Sequence, residues 1–214
     1  MAARSTRVRE LVAAAVDHGA LPPRPGPELD GYLDATERCV RRYGWSRTSA
    51  QDIAREAGVN RTTIYRVLGA KDEIFRLLAD RQAHRLIEQA VQRGAAVRDS
   101  GAPAAEAIIE LAAAAIEQVR HNPTIAKVLA DEPELVASFM RTGIPEVLDR
   151  FTRVLGPRLG AAMARGVVAR RDPDLVTEWI VRLCLSLLFA PPRGDLRAFL
   201  AAGIRPLLEV ESAS

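Results

Sequence analysis

Apolar residues recur every three or four positions along nearly the whole chain, and no stretch shows the strict alternation that a half-buried strand requires. Residues 5–18 open the pattern with Val8, Leu11, Val12, Ala15 and Val16 behind a capping Ser5. The run from Gly19 to Pro27 then forbids helix, because each proline lacks an N–H and holds the residue before it extended. From Pro27 the spacing predicts helices over 27–43, 49–57, 61–68, 71–93, 104–120, 123–130, 133–141, 144–165, 173–190 and 195–209. Gly156-Pro157 should bend or break the helix over 144–165. The fold class is all-α. No repeat of 20–50 residues is visible, which argues against a solenoid.

One segment, "QDIAREAGVNRTTIYR" (Gln51 to Arg66), stops at a glycine and restarts with polar residues. Two helices crossing steeply through a short turn need a small residue at the crossing, and Ala54 supplies it. The turn needs a residue that tolerates positive φ, which is Gly58. Ile53, Ala57, Val59, Ile64 and Val67 or Leu68 fall where apolar residues would lock the pair together, and Asn60 is a good N-cap for the second helix. These positions predict a helix-turn-helix.

The outer side of that second helix carries Arg61, Thr62, Thr63, Tyr65 and Arg66, with no acid between Glu56 and Asp72. An ordinary solvated face usually mixes signs. Arginine can grip guanine O6 and N7 together, and threonine can hydrogen-bond a base edge or touch a thymine methyl. Thr48 precedes the first helix of the pair, where its side chain and a helix-terminal N–H could hold a phosphate. Lys71, one of two lysines, opens the next helix and is suited to a second phosphate.

Charge sharpens this picture only mildly. The net charge is +3, but residues 1–85 hold 15 basic against 11 acidic side chains, whereas 86–214 hold 15 against 16. Cys39 and Cys184 sit in apolar contexts without metal-ligand spacing, as buried thiols in a reducing cytoplasm would. No apolar run is long enough for a membrane helix, and the N-terminus does not read as a signal peptide. Catalysis would need paired groups in a cleft, yet His18, His84 and His121 lie in separate segments. Asp131, Glu132 and Glu134 read as helix-terminal acids. Neither a metal nor a cofactor is called for, and an enzyme is not expected.

Residues 29–81 resemble the DNA-binding domain of the TetR family of transcriptional regulators. The resemblance rests on Tyr43-Gly44, Thr48, Ile53-Ala54, Ala57-Gly58-Val59, Thr63-Ile64-Tyr65 and Lys71-Asp72-Glu73. It departs at Val67-Leu68, where the family often has His-Phe; the apolar position survives at Leu68, and Val67 is not expected to touch DNA. The resemblance implies that Tyr65 and Lys71 hold phosphates of a double-stranded operator, with Gln51, Arg61, Thr62 and Arg66 nearest the bases. It also implies a helical second domain that dimerises and binds a small molecule. The organisation expected is an N-terminal helix and connector over 1–27, a helix-turn-helix domain over 28–82, and an effector-binding and dimerisation domain over 83–214.

The residues support part of this independently. From Asp174 to Ala190, apolar side chains surround the helix apart from one stripe of Glu178, Arg182 and Ser186, so it needs cover on several sides. A homodimer interface is expected through Leu185, Leu188, Phe189, Leu196, Phe199, Leu200 and Ile204, the alternative being a core within one chain. A pocket for an apolar or amphipathic effector is expected along Leu111, Ala115, Val119, Phe139, Phe151, Leu155, Trp179 and Leu183, with Arg120, His121 or Asn122 as polar contacts. Each of these positions also suits plain core. The function expected is a cytoplasmic, dimeric repressor, released from a near-palindromic operator when its ligand tilts the long helix that begins at Lys71. A DNA-binding regulator with no effector is the alternative. Arg4, Arg7 and Arg9 are expected to add phosphate contacts from an N-terminal helix docked on the DNA-binding domain.

Overall fold

The structure is a computed structural model that describes residues 24–209. The helix expected over 5–18, its arginines and the connector as far as residue 23 lie outside them. A 3-10 turn, Pro27–Leu29, leads into α1 (Asp30–Tyr43), followed by α2 (Ala50–Ala57), α3 (Arg61–Leu68) and α4 (Lys71–Asp99). Then come α5 (Ala104–His121), α6 (Pro123–Asp131), α7 (Pro133–Ser138), a π turn over Phe139–Gly143, α8 (Ile144–Ala164), α9 (Pro173–Phe189) and α10 (Leu196–Leu208). Every regular element among the described residues is helical.

The chain divides into two compact bodies, and α4 contributes residues to both. The first contains 24–85 and 119–141. Its core joins Leu33, Val40, Ile53, Ala54, Ile64, Leu68, Ile74 and Leu78, with Val128 of α6 and Leu135 of α7 packed against it. The effector domain expected as one block over 83–214 is therefore interrupted: 119–141 cover the first body. Local spacing cannot reveal this, because an amphipathic helix looks the same whichever core it covers.

Polar bonds reinforce that packing. Arg81, fully buried, donates from Nη1 to Asp34 Oδ1 at 2.7 Å and to the Asp30 carbonyl at 3.1 Å, and from Nη2 to Glu37 Oε2 at 3.1 Å. Thr124 of α6 donates to the other oxygen of Glu37 at 3.1 Å, and Asn122 donates to Gln82 Oε1 at 3.1 Å. One buried guanidinium thus ties α1 to α4, while α6 is fastened to both.

The second body contains 86–118 and 142–209. Ile109, Ala113 and Ile116 of α5 meet Met163 of α8, Val176 and Leu187 of α9, and Leu200, Ile204 and Leu208 of α10. Gly94 permits the tight packing of α4 on α5, since a Cβ there would come within 2.9 Å of both the Ala107 carbonyl oxygen and Leu111 Cβ. Gly156-Pro157, expected to bend or break the helix, does not break it: α8 runs through both residues. Proline removes one donor from the ladder, while bonds on either side and packing on α9 hold the helix. Gly156 serves that packing: a Cβ on it would lie 2.0 Å from Asp174 Oδ1. The Thr142-Gly143 break is likewise absent, the π turn running directly into α8.

Candidate nucleic-acid interface

The reading element is built from caps inward. Ser49 caps α2 in a reciprocal box with Asp52, whose carboxylate accepts the Ser49 N–H at 3.1 Å while the Asp52 N–H donates to Ser49 Oγ at 3.2 Å. The Ser49 hydroxyl, which donates to the same carboxylate at 2.5 Å, and then the Ser49 N–H hold the Asp52 carboxyl below the ordinary carboxylate range. Gly58 ends α2 in the left-handed region at φ 70°, and Asn60 caps α3 by accepting the Thr63 N–H at 2.8 Å. Ile64 and Leu68 seat α3 in the core, so its opposite side faces outward.

That side exposes Arg61, Thr62, Tyr65 and Arg66, while Gln51 is exposed on α2. Arg61 and Tyr65 form a pair: Arg61 Nη2 donates to the Tyr65 hydroxyl at 2.9 Å, and the guanidinium carbon stands 5.2 Å from the ring centroid. Neighbouring acids are occupied elsewhere. Arg38 Nε bonds Glu56 at 2.6 Å and depresses its carboxyl, and Arg55 pairs with Asp52. The outward face of α3 is therefore cationic and rich in hydrogen-bonding groups, a chemistry suited to phosphates and base edges.

Three of the expected contacts sit differently. Thr48 is 2% exposed, its hydroxyl donating to the Gly44 carbonyl at 2.7 Å and its N–H to the Trp45 carbonyl at 3.0 Å. Both groups are spent inside the loop, so Thr48 shapes the approach to α2 and offers no donor to a phosphate. Thr63 is half-buried and gives its hydroxyl hydrogen to Asn60 Oδ1 at 3.0 Å. Lys71 is exposed, but Nζ already donates to the Ser46 carbonyl at 2.9 Å and stands 5.3 Å from the Trp45 ring centroid. An ammonium has three donors, so a held Lys71 still has two to present. Ser46 was not singled out in the sequence, and its partner Glu132, 86 residues away, reads there only as a helix-terminal acid. No local signal marks such a pair.

None of the eight residues of the expected effector lining borders the cleft that the second body shows. Val119 and Phe139 belong to the first body and the other six residues to the second. Leu111 packs beside Gly94, and the Trp179 ring rests on Gly203. A cleft of about 640 Å³ in the second body is lined by other residues, among them Val97, Ile109, Ala201 and Pro206, and rimmed by the pairs Glu110–Arg197 and Glu106–Arg205. The first of these pairs holds the Arg197 guanidinium above its ordinary range and the Glu110 carboxyl below.

The expected interface set also needs correction. Leu200 and Ile204 are fully buried in their own chain's core and cannot face a partner. Leu185, Leu188 and Leu196 are half-buried, whereas Phe189 and Phe199 are exposed. Leu175 and Trp179 are exposed as well, and at spacings of four and ten residues they share one side of α9 with Phe189. Cys39 and Cys184 are free, and burial pushes the Cys184 thiol up to about 12, which keeps it protonated. No helix among the described residues is long and apolar enough to cross a membrane.

Residues 33–78 match the family described as bacterial regulatory proteins, tetR family. The HTH-type transcriptional regulator AlkX of Mycobacterium tuberculosis is 29% identical over 186 residues, covering 84% of each chain. Among solved structures, the TetR family repressor AlkX from a Dietzia strain, implicated in n-alkane biodegradation, superposes with a TM-score of 0.57. It is 21% identical, and the match covers 86% of this chain and 95% of that one. The regulator FadR from Bacillus subtilis, solved with stearoyl-CoA, gives a TM-score of 0.57 at 20% identity, covering 83% and 96%. At such identities the solved structures speak for the fold alone.

Proposed function

We propose that this chain, which belongs to the TetR family of DNA-binding transcriptional regulators and is not an enzyme, works as a dimeric repressor released from its operator by an apolar or amphipathic small molecule. The observation that carries the DNA half is the outward face of α3, where Arg61, Thr62, Tyr65 and Arg66 stand exposed beyond a capped turn. In this reading Gln51, Arg61, Thr62 and Arg66 read base edges, while Tyr65 and Lys71 hold phosphates. Two such faces related by a two-fold would meet a near-palindromic double-stranded site in successive major grooves. We assign the chain to the cytoplasm, where bacterial DNA lies.

Salt titration separates the two kinds of contact. Lys71→Ala should weaken operator and random duplex alike and lower the slope of log K against log salt by about 0.9, the share of one phosphate. Arg61→Ala should cost about 1–3 kcal/mol on the operator and relax preference at one base pair. Identical behaviour of the two variants would sink the assignment of roles.

The effector half rests on chemistry and relatives. The core of the second body is largely aliphatic, and the FadR neighbour holds stearoyl-CoA, a long acyl chain with a polar head. Of the expected lining, Leu111, Ala115, Phe151, Leu155 and Leu183 are half-buried in that body and are carried forward. The probes are stearoyl-CoA and hexadecane, titrated into the free protein and into its operator complex. A hundredfold release requires affinities for the two states that differ by about 2.7 kcal/mol, with the free protein favoured. Equal affinities would leave the probe no role as inducer. Tighter binding to the complex would make it a co-repressor.

A further inference from the structure

Between α1 and α2 runs a short loop, Gly44 to Ser49, whose middle residue is held on three sides. Gly44 turns the chain at φ 81°, and Trp45 is buried, its ring centroid 4.9 Å from that of Phe75. Ser46 comes next. Its N–H donates to Glu132 Oε1 at 2.6 Å, its hydroxyl donates to Glu132 Oε2, and its carbonyl accepts Lys71 Nζ at 2.9 Å. Every hydrogen-bonding group of Ser46 thus has a protein partner, and one carboxylate from a distant segment provides two of them.

Glu132 is itself fixed. It sits at the junction of α6 and α7, where its N–H donates to the Val128 carbonyl at 2.9 Å and its carbonyl accepts the Val136 N–H at 3.1 Å. It is 7% exposed, whereas the serine it grips is exposed. A near-buried carboxylate directed at a loop beside a DNA-binding face is electrostatically adverse there, since its charge opposes that of phosphate. Its placement makes sense as geometry, because a carboxylate alone among side chains accepts two hydrogen bonds side by side without offering a donor.

We infer that Glu132 is a positioning residue for DNA binding: it locks the Ser46 loop so that the Ser46 carbonyl holds the Lys71 ammonium where a phosphate can take it. This rests on the reading of Lys71 as a phosphate contact. Held by Ser46 and the Trp45 ring, Lys71 loses little side-chain freedom on binding, freedom that an unheld lysine would forfeit. The same contact makes 119–141 a mechanical partner of the reading element, so whatever shifts α6 and α7 reaches Lys71 through a single side chain.

The test is a double-mutant cycle on the full chain, with operator affinity measured against salt. Removing a negative charge near DNA predicts tighter binding for Glu132→Ala, whereas removing a clamp predicts weaker binding, so the sign decides. We expect Glu132→Ala to weaken operator and random duplex by roughly tenfold and to lower the salt slope by about 0.9, as loss of one phosphate contact does. In a Lys71→Ala background the same change should cost less than about twofold, because the two act through one contact. Glu132→Gln keeps an acceptor for the Ser46 N–H and should recover most of the loss. Ser46→Ala, at an exposed position, should weaken binding two- to threefold with the fold intact and serves where Glu132→Ala unfolds. Binding by Glu132→Ala or Ser46→Ala as tight as wild type, with Lys71→Ala impaired, overturns the clamp alone. If Lys71→Ala also binds like wild type, the phosphate reading falls with it.

Discussion

Arg81→Ala is expected to lose about 3 kcal/mol of stability, a large share of the roughly 5–15 kcal/mol that holds a domain folded. The Arg81 side chain is 2% exposed, and it bonds Asp34, Glu37 and the Asp30 carbonyl at 2.7–3.1 Å. Truncation would open a void between α1 and α4 and strip these acceptors of their shared donor. The loss is set at the low end of the range for breaking buried pairs, because Asp34 is 48% exposed and water can replace part of its bond. Glu37 is 19% exposed and keeps Arg85 at 3.4 Å and Thr124 at 3.1 Å, so it is not left bare. Arg81→Lys should lose about half as much, since an ammonium keeps the charge but cannot span two carboxylates with a planar fork. Urea unfolding followed by circular dichroism gives the answer. A loss below 1 kcal/mol for alanine would mean that the network merely decorates an apolar core.

On the dimeric reading proposed above, Trp179→Glu with Phe199→Glu should split the assembly into monomers and lower operator affinity by on the order of a hundredfold or more. A single reading face lacks the second half-site that a bound partner presents at high effective concentration. Both side chains are exposed in the single chain, at 41% and 48%, so the fold loses little when they become charged. A pair of carboxylates facing their symmetry mates would be buried and unpaired. Sedimentation reads the assembly and circular dichroism the fold. Trp179 also packs on Gly203 and near Leu183, so Phe199→Glu alone is the control for a local packing effect. A double variant that still sediments as a dimer would remove α9 and α10 from the interface.

The parts of this molecule that local chemistry determines were legible. The α3 bounds, Arg61 and Leu68, follow from Asn60 before it and Gly69 after it, and each of these residues does its work within one turn. The Ala54 and Gly58 positions of the turn were equally local, as was the exposure of Arg61, Thr62, Tyr65 and Arg66. Misreadings arise where a distant partner decides. Leu200 and Phe199 are adjacent and both apolar, yet one is fully buried and the other 48% exposed, because only one side of α10 enters the core of the second body. Thr48 is the local exception: its hydroxyl stands before a helix as a phosphate contact would, but the carbonyl of Gly44 only four residues earlier takes it. Glu132 looked like any helix-terminal acid until the fold brought Ser46 to it. Gly156-Pro157 read as a bend or break, and α8, packed on α9, continues across both residues.

That 119–141 belong with 24–85 has a consequence for anyone assembling chimeric regulators from parts. A graft cut after residue 85 would carry α1, α2, α3 and the start of α4, yet it would leave behind Val128, Leu135, Thr124 and Glu132. Such a transplant would bare an apolar side of its own core to the host protein and leave the Ser46 loop to find its shape unaided. The same order governs synthesis. At about 5–20 residues per second the ribosome needs several seconds to pass from residue 85 to residue 141, and until then the reading body of the nascent protein is incomplete. The natural unit of exchange is therefore discontinuous, two stretches of chain that must travel together.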